Sequence, residues 1–372
     1  MYKYLLDNIL CLIYYIFSIK MLVIKVLLQF FCKFALPITC HINHIYMQTL
    51  SQITEDFNQY IKNQSFSQQP TELYEPITYI LTLGGKRIRP ILTLAAHQLF
   101  DSSVQKAFPT AFAIEVFHNF TLMHDDIMDA APLRRGKQTV HTKYNVNTGI
   151  LSGDAMVILA YDYLVSANED FKTVTKLIKI FNKVAIEVCE GQQFDINFEK
   201  RNDVSISEYL NMIKLKTAVL LAAALQMGAT GANASDSDAQ HLYEFGLNIG
   251  LAFQIQDDIL DTFSDEATFG KKVGGDIVQN KKTYLYLKTM ELLPKDKAEE
   301  LYTLYNSEEN DEEIKVAKVK SFFNLVNVRS EAEHLQNDYF QKGMEHLAAV
   351  SVSEERKATL RSIAEDLMIR KV

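Results

Sequence analysis

The chain is poor in residues that break or cross-link a fold. Only 14 glycines and 7 prolines occur in 372 residues, and tryptophan is absent. That is too few turn formers for an all-β protein, so the composition favours helices. There are four cysteines and no C-x-x-C pair, and three of the four (Cys11, Cys32, Cys40) fall in the first 46 residues. Neither a disulfide framework nor a zinc site is supported. Cys189 stands alone in the remainder and reads as a small apolar core residue on a helix, in a reducing cytoplasm. Positive charge is also short. A formal charge of −8 argues against nucleic-acid binding, although a local basic patch can still hold a small anion.

Residues 1–46 lack glycine, glutamate and arginine and contain one aspartate, Asp7. Their two apolar runs, 8–19 and 21–36, are interrupted by Lys20, Lys25 and Lys33, so neither is a clean span of about 20 residues. Lys3 before an apolar run is signal-like, but no small-x-small cleavage site follows. Three readings stand: upstream sequence ahead of a mis-assigned start (the preferred one), a membrane anchor, and a signal peptide. Met47 opens an ordinary polar helix start. Four lysines and one aspartate precede it, so residues 47–372 carry 34 basic and 45 acidic groups, a net of −11. These residues are expected to form one all-α domain, with membrane contact only through the extension.

In that body apolar residues recur at helical spacing through 73–83, 91–100, 107–124, 150–166, 173–190, 207–227 and 239–261. Breakers are expected at Gly84-Gly85, Pro132 with Gly136, Gly149, Gly191, Gly228 with Gly231, and Gly270 with Gly274-Gly275. Ser152-Gly153-Asp154 and Ser205-Ile206-Ser207-Glu208 read as helix starts. The charge-rich stretch 294–316 reads as a solvated loop and helix face.

Two D-D-x-x-D clusters stand out, Asp125-Asp126-Ile127-Met128-Asp129 and Asp257-Asp258-Ile259-Leu260-Asp261. Their flanks are apolar, which disfavours a purely solvated face. On a helix, residues four apart share a face while the next residue turns about 100° away. Asp125 with Asp129, and Asp257 with Asp261, can therefore hold hard cations between them. Mg²⁺ takes one or two carboxylates and completes its shell with water and substrate phosphates. Basic residues recur beside the clusters. Gly84-Gly85-Lys86-Arg87-Ile88-Arg89-Pro90 puts three cations at a helix boundary, where Lys86 and Arg89 can converge on one anion. Arg134-Arg135 follows the first cluster; Lys214 and Lys216-Thr217 lie on another helix; Lys271-Lys272 and Lys281-Lys282 follow the second. Arginine forks suit phosphate oxygens. Any one of these pairs alone is most often surface charge.

The segments GGKRIRP, LMHDDIMDAAPLRRGKQTVH, LKTA, FQIQDDILD and FGKKVGGDIVQNKKT resemble, in order, the signature regions of trans-isoprenyl diphosphate synthases, strongly over residues 72–290. The resemblance implies a bundle of long helices around a deep central cavity, a homodimer, and head-to-tail joining of isopentenyl diphosphate to an allylic diphosphate. It implies about three Mg²⁺ per site, held by Asp125, Asp129, Asp257 and Asp261. Arg134, Lys216, Thr217, Gln254, Lys272 and Lys281 match positions that contact the allylic diphosphate, with Lys271 an alternative to Lys272. Lys86, Arg89, His118 and Arg135 match the isopentenyl site, and Gln192 and Asp195 a position beside the cavity. Without the motif, His118 would read as a satisfied core histidine. Asp125, Asp129, Arg134, Lys216, Asp257 and Lys272 are the expected catalytic set. Fixed positive charge stabilises the departing diphosphate, which the resemblance also makes the acceptor of the proton lost from the adduct.

The growing tail is expected to run from Asp125 toward the helix N-terminus, one isoprene unit per turn of about 5.4 Å. Phe120 and Thr121 then sit at the floor. One aromatic, one small residue and no insertion in the motif resemble twenty-carbon geranylgeranyl diphosphate synthases. Farnesyl diphosphate or a longer chain is the alternative. A terpene cyclase would carry one D-D-x-x-D and an N-S-E-type triad, and a non-catalytic prenyl synthase subunit would have lost aspartates or basic residues. Both are disfavoured.

Overall fold

The computed structural model describes residues 47–264, 273–307 and 311–369. Residues 47–372 make one compact unit. The 1–46 extension and Lys271, Lys272 and Gly270 lie outside the described residues.

Helices follow one another almost without interruption: α1 (Leu50–Lys62), α2 (Thr71–Thr82), α3 (Ile88–Gln98), α4 (Phe108–Met128), α5 (Val140–Lys143), α6 (Val146–Val165), α7 (Phe171–Lys200), α8 (Ile206–Ile213), α9 (Val219–Gly231) and α10 (Asp236–Phe263). Then come α11 (Gly275–Val278), α12 (Tyr284–Leu292), α13 (Lys295–Tyr305), α14 (Glu312–Leu325), α15 (Val328–Ala349) and α16 (Glu354–Met368). Among the described residues the only sheet is a hairpin, β1 (Leu133–Arg134) with β2 (Lys137–Gln138). The all-α expectation holds.

Helix starts follow local chemistry. Thr49 and Gln52 form a capping box on α1, and Ser205 and Glu208 form one on α8, as the S-x-x-E spacing predicted. Ser152-Gly153-Asp154 is not a start. It lies inside α6, which Asn145 caps by accepting from Thr148 N–H. Ser152 is buried and donates to Leu73 O at 2.9 Å. Gly149, Gly191 and Gly228 do not break their helices either. A Cβ on Gly228 would lie 2.1 Å from Thr93 O, so glycine is there to bring α9 onto α3. Close approach and a turn look alike in sequence, because both need the missing side chain. The charge-rich stretch is helical at both ends, and Lys315 within it is buried, its Nζ 2.6 Å from Asn280 Oδ1.

The core is built on α9 and α10. α9 is almost wholly buried between α3, α7 and α10, and α10 also packs along α15. Gly246 and Gly250 of α10 face Ala222 and Ala218, where a Cβ would meet a backbone carbon at 2.8 and 2.7 Å. Leu242, Phe245 and Ile249 join an apolar cluster with α1–α4, and Leu251, Ile255 and Ile259 join a second with α8 and α12–α15. Each fully buried Phe or Leu contributes about 1.5–3 kcal/mol. The α6 segment Val146–Val165 and the continuous run Ile206–Gly231 are long and apolar enough to cross a membrane. The second is mostly buried in this bundle. α4 and α10, carrying the two acidic clusters, are thereby fixed side by side with α7 and α9.

Candidate active site

The first cluster sits at the end of α4. Asp129 caps the helix and donates its N–H to Asp125 O at 2.9 Å. Ala130 then turns left-handed (φ 48) and the chain enters the hairpin, whose turn uses Arg135 (φ 53) and Gly136 (φ 73). The middle aspartate, Asp126, is buried. Arg134 grips it with Nε at 2.9 and 2.8 Å from the two carboxylate oxygens and Nη2 at 2.7 Å. Arg134 is therefore committed to Asp126 in this structure. The hairpin folds its guanidinium back under α4, a return that the spacing alone did not show.

The second cluster is built alike with a different partner. Asp258 is buried and accepts from the Tyr209 hydroxyl, while Asp261 accepts the Asp276 N–H at 3.0 Å. Asp257 is half-buried on the same helix. In both clusters the middle carboxylate faces inward, as the 100° turn requires.

Two cavities open beside them. One, of about 190 Å³, is mixed: Asp195, Asp258, Asp276, Gln254 and Lys281 line it together with Phe198, Tyr209, Met212 and Ile213. The other, of about 300 Å³, is largely apolar, with Phe120, Thr121, Leu122, Val188, Ile196 and Leu220 in its wall and Arg89, His118, Asp125 and Gln192 around it. Lys216 and Thr217 line both. These two residues lie in a π-helical turn, Lys214–Ala218, inserted between α8 and α9. Such turns are frequent at functional sites because they reorient side chains. Gly191 makes room for it, since a Cβ there would be 2.2 Å from Lys216 N. Lys216 Nζ lies 2.5 Å from Asp195 Oδ2, and Thr217 Oγ1 donates to Gln254 Oε1 at 3.3 Å. Lys281 pairs with Asp276 at 3.2 Å.

Arg89 Nη1 and His118 Nε2 meet at 3.2 Å. Arg87 adopts φ 51, α3 begins only at Ile88, and Lys86 lines a separate cavity with Thr54 and Asp366. Lys86 therefore precedes the helix that carries Arg89. Arg135 donates to Gly84 O and lies against Gly85, where a Cβ would fall 2.7 Å from its Cζ. At the floor, Phe120 contacts Phe117 (ring centroids 5.4 Å apart), Phe117 contacts Phe181 (5.0 Å), and Phe181 contacts Tyr161 (5.0 Å). Cys189 is not a core residue. It is exposed on α7 and lines the rim of the apolar cavity, one position from the buried Val188.

Burial pushes His118 well below the usual histidine range, and Arg89, Arg135, Arg134 and Arg87 add to the shift. Burial also lowers Arg89 to about 10, against the pull of Glu115. Carboxylates move the other way. Burial raises Asp125, opposed by Lys216 and reinforced by Asp129, and burial with Asp276 raises Asp261 to about 6. Among the described residues no three metal-binding side chains form a ready cage. The carboxylates are hard oxygen donors crowded in pairs, which fits a cation that completes its shell with water and phosphate oxygens.

Residues 70–323 match the polyprenyl synthetase family. The chain belongs to that family. It is 40% identical over 269 residues to a short chain isoprenyl diphosphate synthase of Methanocaldococcus jannaschii, covering 72% of this chain and 80% of the relative. A geranylgeranyl diphosphate synthase of Sulfolobus acidocaldarius is 38% identical, over 81% of this chain and 91% of that one. A crystal structure of a geranylgeranyl pyrophosphate synthase superposes with TM-score 0.82 and 47% identity, covering 88% of this chain and all of that one.

Several residues of this polyprenyl synthetase site escaped the sequence reading. Asp276 falls within FGKKVGGDIVQNKKT but was given no role; α11 presents it beside Asp261. Tyr209 and Glu115 carried no signal, because their partners Asp258 and Arg87 lie 49 and 28 positions away. The raised Asp261 pKa has a consequence for stability. In protein stripped of divalent cations, the folded state holds a proton on Asp261 up to about pH 6, whereas the unfolded chain releases it near pH 4. Stability should therefore fall as pH rises from about 4 to 6. Melting curves in EDTA at pH 4.5 and 6.5 should show this fall, flattened in Asp261→Asn. An equal fall in that variant would refute the assignment.

Proposed function

We propose that the chain is a prenyltransferase that joins isopentenyl diphosphate head-to-tail to allylic diphosphates and makes geranylgeranyl diphosphate. The observation that carries this reading is that Lys216 and Thr217 face a carboxylate-walled cavity and an apolar cavity at once. A diphosphate with a prenyl tail needs both environments joined at one point.

Asp125, Asp129, Asp257 and Asp261 would hold Mg²⁺, which when bound offsets the charge growing on the departing diphosphate. Lys216, Thr217, Gln254 and Lys281 hold the allylic diphosphate at the junction. Lys216 leaves Asp195 for the substrate, exchanging one anionic partner for another. Arg134 fixes Asp126 and adds positive charge beneath the site. Arg89 and Arg135 hold isopentenyl diphosphate, with His118 kept neutral between them so that its ring can accept or donate one hydrogen bond. Lys271 and Lys272 complete the basic set in this reading. Phe120, Val188, Ile196 and Leu220 exclude water from the allylic cation, which water would quench.

Val146, Ile158 and Ile186 are 46%, 68% and 61% exposed on α6 and α7. In a homodimer they would be covered. Cytoplasmic location belongs to the same reading, and the free thiol of Cys189 suits it.

The direct test is to supply the purified protein with Mg²⁺, isopentenyl diphosphate and each allylic primer, then chromatograph the dephosphorylated alcohols. Twenty-carbon alcohol is expected; no product from any primer would overturn the reading. Phe120→Ala should lengthen the products by one or more isoprene units, by opening the cavity toward Phe117 and Phe181. Unchanged lengths would show that the floor lies elsewhere. In light scattering the protein should have the mass of a dimer and Ile158→Asp that of a monomer. A monomeric parent protein rules the dimer out.

A further inference from the structure

A third cavity lies outside the active site, between α1, α2 and the loop that leads into α3. At about 460 Å³ it is larger than either active-site cavity. Ile61, Phe66 and Leu81 give it apolar walls, Lys62 and Thr78 give it polar ones, and no carboxylate lines it. One more lining residue is Arg87.

Arg87 is unusual in three respects. It is a non-glycine residue in the left-handed region, at φ 51. Its guanidinium is buried and bonded to Glu115 and to Leu81 O. It also precedes by two residues Arg89, which meets His118. A left-handed non-glycine residue persists only where its surroundings over-determine it. Those surroundings are Glu115 and the end of α2. Glu115 also supports the charge on Arg89 and accepts from Asn119 at 2.8 Å. One carboxylate thus bonds an arginine of the cavity wall and acts through its charge on an arginine of the pocket assigned to isopentenyl diphosphate.

We propose that this cavity is an effector site for a small organic anion with an apolar tail, and that its occupant acts on the isopentenyl pocket through Arg87 and Glu115. The tail lies against Ile61, Phe66 and Leu81. The anionic head pairs with Lys62 and competes with Glu115 for Arg87. Drawing Arg87 away releases the strained residue that sets the start of α3, and Arg89 moves with it. The coupling runs both ways: isopentenyl diphosphate on Arg89 changes the affinity of the effector by the same factor. The inference rests on assigning Arg89 and His118 to isopentenyl diphosphate.

The test uses the full chain with decanoate as the anionic probe and decanol as its neutral counterpart. Decanoate should raise KM for isopentenyl diphosphate by about fivefold and leave KM for geranyl diphosphate unchanged; decanol should do neither. Thr78→Trp fills the cavity without touching either substrate pocket, and Lys62→Glu reverses its charge. Both should keep the basal rate and lose the decanoate response, together with the saturation-transfer NMR signal of bound decanoate. Decanoate that competes with geranyl diphosphate, or a response that survives in Thr78→Trp, overturns the proposal. Should the protein form no product even without decanoate, the prenyltransferase reading is what fails. The NMR comparison then decides the cavity alone: a signal lost in Thr78→Trp supports the site and a retained one overturns it.

Discussion

The grip of Arg134 on Asp126 is the contact on which the first acidic cluster depends. Asp126 points into the protein because its neighbours Asp125 and Asp129 point out, and a buried carboxylate without a partner costs several kcal/mol. Arg134 satisfies it with a fork, and the hairpin that brings Arg134 back also delivers Arg135 to the Gly84-Gly85 loop. Tyr209 meets the same demand for Asp258 by donating a hydroxyl. Burial pushes Asp258 well above the usual carboxylate range, with Asp276 adding to it. One motif repeated in the sequence is thus served by two chemistries, a charged partner in one place and a neutral one in the other. The copies are not equivalent.

Around that frame the charges sort by location. Arginines gather where His118 lies, and carboxylates gather where α10 and α11 meet. Lys281 belongs to the acidic region: Asp276, Asp195 and Asp129 all favour its charged form against the cost of burial. The arginine-rich side can hold an anion without help. The acid-rich side holds one only through cations between. The proposed roles of the two sides rest on this asymmetry.

Glycine shapes the site more than its scarcity would indicate. Gly191 lets α7 lie against the backbone of the π turn that aims Lys216 and Thr217 at both cavities. Gly85 gives Arg135 room. Both stand where backbone or guanidinium comes too near for a Cβ. Only Gly85 (φ 132) also needs the conformational freedom of glycine.

Much was legible in the sequence: helix upon helix, the capping boxes, and Phe120 and Thr121 on one cavity wall. These follow from rules of short range, the 3.6-residue repeat above all. Cys189, Gly149, Gly191, Gly228 and the Ser152 segment were misread for one shared reason. Whether a side chain faces core, cavity or solvent depends on what packs against its helix, and whether a glycine breaks a helix or seats a neighbour depends on how near that neighbour comes. The sequence by itself determined that this is a helical polyprenyl synthetase with two acidic clusters among basic residues. Only the tertiary structure decided that Arg134 grips Asp126 and Tyr209 meets Asp258, that Lys216 and Thr217 join the carboxylate-walled space to the apolar one, and that Glu115 pairs with Arg87. Those are contacts between different elements of the chain, and such pairings exist only once the helices have packed.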